Sequence, residues 1–173
     1  MRFEDIRSVM DKLQEFLRKE YTDLNLELSD QNVDKPSYPF GSYKVLVLNQ
    51  DPTKSASSWV EATSAEDFKQ VFRKNQTASI SIAFLHNSSI ATCWDLCQKT
   101  VDWFDSIEGM SECETFGITP QLMTGDVQDR TTVLESTQYE YKAGFDVMFK
   151  SRKFNETQGK TTASAPSVEL EEA

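Results

Sequence analysis

The sequence predicts an α+β domain: a mostly antiparallel β-sheet, two amphipathic helices packed on one face, a long C-terminal strand and an extended tail. Three observations predict it. Apolar residues recur at helical spacing near the N-terminus and again after residue 89. Several segments alternate apolar and polar residues with a period of two. The longest of these, Thr137 to Lys150, exceeds the usual five or six residues of a strand.

The first helix is expected over residues 3–19. Phe3, Ile6, Val9, Met10, Leu13, Phe16 and Leu17 fall on one face, with acids early and Arg18-Lys19 late, as the helix dipole favours. Leu24, Leu26 and Leu28 alternate with polar residues and suggest a short strand. Pro36, Pro39 and Gly41 mark a loop over 29–41. Tyr43 to Leu48 reads as a strand, and Ser58 to Ala62 as a second, less defined one. In Thr77 to Leu85, Ala78, Ile80, Ile82 and Phe84 share one parity, the pattern of a half-buried strand.

Asn87-Ser88-Ser89 offers an N-cap to a second helix running to about Ser106, with Gly109 as its stop. Ile90, Trp94, Cys97, Val101, Phe104 and Ile107 form its expected apolar stripe, with its aromatics Trp94, Trp103 and Phe104 taken as core. Gly117 to Leu122 and Val127 to Ser136 are weaker strands. In the final strand Tyr139, Tyr141, Ala143, Phe145, Val147 and Phe149 share one face. Composition divides the chain into a domain over 1–154 and a flexible acidic tail or inter-subunit arm over 155–173, with Val168 and Leu170 as its aliphatic anchors.

The formal net charge of −10 argues against a phosphate-binding surface, and no basic run occurs. No apolar stretch approaches the 18 residues of a membrane span, and the N-terminus lacks the apolar core of a signal peptide. Three cysteines, an odd number, fit free thiols in a reducing cytoplasm, which makes the sequons at Asn75, Asn87 and Asn155 chance matches.

Signs of catalysis are weak. His86 is the single histidine and has neither a G-x-S-x-G nor a placed cysteine nucleophile to serve. Cys93 and Cys97 share a helix face, but a metal site would also need Cys113 and His86 to converge. Asp126, Asp129 and Glu135 are the best candidates for an acid–base pair, and an ordered turn is the simpler reading. No phosphate-binding glycine loop is present, and the expectation is no catalytic residue, no cofactor and no metal.

One stretch does carry a resemblance. Asp126-Val127-Gln128-Asp129-Arg130-Thr131-Thr132-Val133-Leu134-Glu135, followed by Tyr139-Glu140-Tyr141-Lys142-Ala143-Gly144-Phe145-Asp146-Val147-Met148-Phe149, resembles the C-terminal signature of phage neck or tail terminator proteins. There a D-x-T-x-L turn leads into Y-E-Y-R-A-G-F-D-V-x-F. The opening helix, the proline loop, the T-x-S-I-S-I strand and the helix ending Asp102-Trp103-Phe104 follow in the family's order. Lys142 stands where the family usually has arginine, which loses a bidentate donor.

The resemblance implies a virion structural protein at the junction of tail and head, made in the host cytoplasm. It implies a homo-oligomeric ring, usually a hexamer. The ring caps the completed tail tube and joins it to the head connector, and DNA passes through its lumen without specific binding. Asp129, Arg130, Lys142, Val168 and Leu170 are the expected subunit-interface residues. A head-completion or connector adaptor is the near alternative, and a small cytoplasmic hydrolase using His86 or the Asp126/Asp129 pair is the alternative of another class.

Overall fold

Eight strands pair into one sheet in the computed structural model, which describes residues 1–31, 34–50, 56–62, 67–122, 127–135 and 138–160. The chain order is α1 (Phe3–Leu17), β1 (Asn25–Leu28), β2 (Phe40–Gln50), β3 (Ala56–Ala62), β4 (Asp67–His86), α2 (Ile90–Asp105), α3 (Ile107–Thr115), β5 (Thr119–Leu122), β6 (Gln128–Asp129), β7 (Thr132–Glu135) and β8 (Gln138–Lys160). The main path across the sheet is β1-β2-β4-β8-β5. β3 takes over beside β4 where β2 leaves it, and β6 and β7 pair with β8. β1 runs parallel to β2, and every other pairing is antiparallel.

The centre of the molecule is the β4–β8 ladder, twenty residues in unbroken register from Asp67↔Lys160 to His86↔Tyr141. The ladder places Ala78, Ile80, Ile82 and Phe84 directly opposite Phe149, Val147, Phe145 and Ala143. All eight are buried, which confirms the two alternation patterns and fixes one face as the core face. α1 lays Ile6, Val9, Met10, Leu13 and Leu17 into the same cluster, beside Leu96, Trp103 and Phe104 of α2. Phe104 meets Phe149 edge-on at 5.8 Å between ring centres and Trp103 at 5.1 Å. Gly144 lies where β8 and β4 approach closely: a Cβ there would sit 2.6 Å from the Ile82 carbonyl oxygen.

Four expectations change. Three helices are present among the described residues, because the chain breaks at Ser106 and continues helical through Gly109. Ser106 ends α2 in extended backbone (φ −78°, ψ 156°) and caps α3, its Oγ accepting from Gly109 N at 3.0 Å and donating to Trp103 O at 2.7 Å. Gly109 is thus a packing residue and not a stop: a Cβ would lie 2.0 Å from the Trp103 carbonyl oxygen.

Second, the apolar stripe of α2 is Cys93, Leu96, Cys97, Thr100, Trp103 and Phe104. The helix is rotated by about one residue from the expected face, so Trp94 is 39% exposed, while Ile107, expected on the same stripe, begins α3 beyond the break and is 86% exposed.

Third, the sheet outruns the helices. β4 begins ten residues before the expected Thr77, and β8 continues past the compositional change at residue 154 to Lys160. Backbone ladder bonds are indifferent to side-chain polarity, so a polar segment can still pair. Residues 161–173 lie outside the described residues. Fourth, Tyr139 shares the core parity but is 53% exposed, because it lies at the end of the sheet away from the buried cluster.

Candidate functional site

The turn singled out by the sequence lies against the edge of β8. β6 pairs Gln128 and Asp129 with Gly144 and Ala143, and Arg130 N donates to Lys142 O at 2.7 Å. Thr131 then closes the turn twice: its N–H donates to Asp129 Oδ1 at 2.8 Å, and its Oγ1 accepts from Lys142 N at 3.3 Å. Hydrogen bonding to Thr131 holds the Asp129 carboxyl below its ordinary range.

The Arg130 guanidinium reaches across the face of the sheet opposite the helices. It donates from Nη1 to Ser81 Oγ at 2.7 Å and from Nη2 to Asp146 Oδ1 at 3.1 Å, tying the turn to β4 and β8 together. Asp129, Arg130 and Lys142 therefore converge on one turn. Val168, Leu170 and Asp126 lie outside the described residues.

A second polar cluster was not legible in the sequence. Glu140, on the polar parity of β8, is 9% exposed because the loop before β2 folds over it. Its Oε1 accepts from Lys35 Nζ and, at 2.6 Å, from Tyr38 Oη. Burial raises the Glu140 carboxyl, but these two donors outweigh it and hold the group below the usual range. The only available signal was Lys35 and Tyr38 in a proline-rich loop, and nothing in the spacing joins them to a residue a hundred positions later.

The remaining candidates are used locally. His86 Nδ1 accepts from the backbone N–H of Ser88 at 3.0 Å and of Ser89 at 3.1 Å, ordering the turn into α2. Cys93, Cys97 and Cys113 are free and buried, and burial pushes their thiols up to about 11, 12 and 12. Among the described residues no three histidine, cysteine or acidic side chains gather as metal ligands, and no helix is long and apolar enough to cross a membrane.

The largest feature is an arm. β4 over 67–76 and β8 over 151–160 run on together past the core with β3 beside them. Among the described residues this arm gives one buried hydrophobic, Val71, and leaves Trp59, Val60 and Phe72 exposed. The outer edge of β3 and the outer edge of β8 beyond Lys150 have no strand partner among the described residues. At the base of the arm a cleft of about 660 Å³ opens between Thr119, Glu114 and Arg152.

A helix-backed, mostly antiparallel sheet with a projecting, open-edged arm makes this an α+β protein. A family model described as phage neck terminator protein matches residues 7–169, and the chain belongs to that family. It is a structural protein of the phage neck, with its place in the virion. No curated protein matches this chain. Solved structures are also similar to this chain; one is 8% identical with a TM-score of 0.41, over 87% of this chain and 96% of that one.

Proposed function

We propose that copies of this chain form a closed ring, a hexamer, that caps the completed tail tube and joins it to the head connector. Family membership over residues 7–169 carries this reading. The arm supports it, because open strand edges offer each copy a way to bind a neighbour. A head-to-tail contact closes into a ring when its rotation divides a full turn. The tail tube protein contacts one side of the ring and the head connector or completion protein the other. DNA passes through the lumen without specific binding; each copy brings a formal charge of −10, which keeps the wall from holding phosphate.

Asp129, Arg130 and Lys142 belong to the copy-to-copy contact in this proposal, with Val168 and Leu170 joining it from the tail. The protein acts by position and not by catalysis.

Reconstruction of the intact particle tests the proposal. A ring of this chain between tail tube and connector, with a lumen open to duplex DNA, is the expected result. A ring touching the connector but not the tube would make it a head-completion adaptor. A single copy at the junction would sink the ring itself.

A further inference from the structure

The arm differs from the rest of the chain in charge. Segments 56–62, 67–76 and 151–160 hold six lysines and arginines against three acids, a formal +3 on a chain that totals −10. The helical side is the reverse. Residues 90–115 hold Asp95, Asp102, Asp105, Glu108, Glu112 and Glu114 against Lys99 alone. Within the chain, Lys99 already pairs with Asp95 and Lys19 with Glu108. Asp102 and Asp105 are exposed, and neither forms an ion pair among the described residues.

Both surfaces also leave large apolar side chains in water. On the arm, Trp59 and Val60 are neighbours in one strand and so point to opposite faces, with 39% and 61% of their surface exposed. On the helices, Trp94, Ile107 and Met110 are 39%, 86% and 46% exposed. Aromatic and methionine side chains amid complementary charge are the composition of a protein contact.

We propose that the arm of one copy docks on the acidic α2–α3 face of the next, a contact that rests on the ring reading above. The two surfaces lie on different parts of the chain, so the contact is head-to-tail, the kind that generates rings. The reach is sufficient: ten paired residues extend roughly 33 Å at about 3.3 Å each, and two adjacent helices span roughly 20–24 Å. Duplex DNA is the competing occupant of a basic arm. It would engage the charges but leave Trp59, Val60 and Phe72 in water, and the arm's own exposed Glu61 would oppose it.

Charge reversal in two variants tests the contact. One carries Arg73→Glu, Lys74→Glu and Arg152→Glu; the other carries Asp102→Lys and Asp105→Lys. Circular dichroism and melting confirm that each folds, and native mass spectrometry with sedimentation reads the oligomer. The expected result is wild-type rings, loss of the ring in each variant alone, and recovery of it in an equimolar mixture, where reversed arm meets reversed helix face. The chain combining all five substitutions recovers the ring as well. Rings that persist in both variants would overturn the docking while leaving the ring reading intact. Loss confined to the arm variant, together with loss of duplex DNA retention, would give the arm to DNA and overturn it too. A wild-type chain that stays monomeric in solution, and single in the particle, would remove the ring reading and this contact with it.

Discussion

Replacing Phe149 with alanine tests the packing of β8 on the helices. Phe149 is fully buried, opposite Ala78 on β4 and edge-on to Phe104 of α2. A buried phenylalanine removes roughly 150–250 Å² from water, worth roughly 4–6 kcal/mol at about 25 cal/mol/Å². Alanine retains part of that burial, while the cavity left under Phe104 adds cost, for a net loss of about 3–5 kcal/mol. That is a large part of the roughly 5–15 kcal/mol that holds a domain folded. In a chain of this size it lowers the melting temperature by roughly 6–20 °C, at about 2–4 °C per kcal/mol.

Tyr139→Ala is the internal control. It has the same strand and parity, but it is 53% exposed and stacks only on Tyr141, with ring centres 6.2 Å apart. It should lose less than about 1 kcal/mol, of the order of one aromatic pair. Thermal melting by circular dichroism, with urea titration for each variant, provides the comparison. Equal losses at the two positions, or no loss at Phe149, would refute the claim that Phe149 packs under the helices while Tyr139 lies beyond the buried cluster.

Gly109→Ala should cost about 1–3 kcal/mol or more as an overpacked contact against the Trp103 carbonyl, read as a lowered urea midpoint; an unchanged midpoint would show that α3 has room to shift. His86→Ala should leave particle assembly and infectivity near wild type while costing about 0.5–1.5 kcal/mol from the lost hydrogen bonds to Ser88 and Ser89; loss of infectivity with unchanged folding would restore the catalytic alternative. The folded Glu140 carboxyl is held below its unfolded value, so its contribution is present above the ordinary glutamate pKa of about 4.3 and lost as pH falls through the folded value. Glu140→Gln should therefore flatten the acid limb of the stability–pH curve below about pH 4.3, and an unchanged acid limb would show that Lys35 and Tyr38 do not hold the charge. Cys93, Cys97 and Cys113 should resist iodoacetamide at pH 8 until the protein unfolds, since burial disfavours the thiolate in all three; fast labelling in the folded state would contradict their burial.

The sequence by itself determined the elements whose pattern is dictated by a single core face. α1, the buried half of β4 and the segment Ala143–Phe149 alternate or repeat because one side meets oil and the other water, and that constraint is written locally. The turn Asp129-Arg130-Thr131 was legible through the family resemblance, whereas the single strand expected from Val127 onward divides around it into β6 and β7, because Thr131 bonds back to Asp129 and across to Lys142.

Tertiary structure decided the rest. The rotation of α2 depends on which of its sides the sheet accepts, so Trp94 moved out while Cys93 and Thr100 moved in, and the break at Ser106 put Ile107 on a separate helix. The arm depends on ladder bonds between β4 and β8, which are backbone bonds and leave no mark on a polar sequence. Glu140 is buried by a loop a hundred residues away, and the basic arm and acidic helix face emerge only when strands and helices scattered along the chain are brought together. Local periodicity reports which side of an element is covered; it cannot report what covers it.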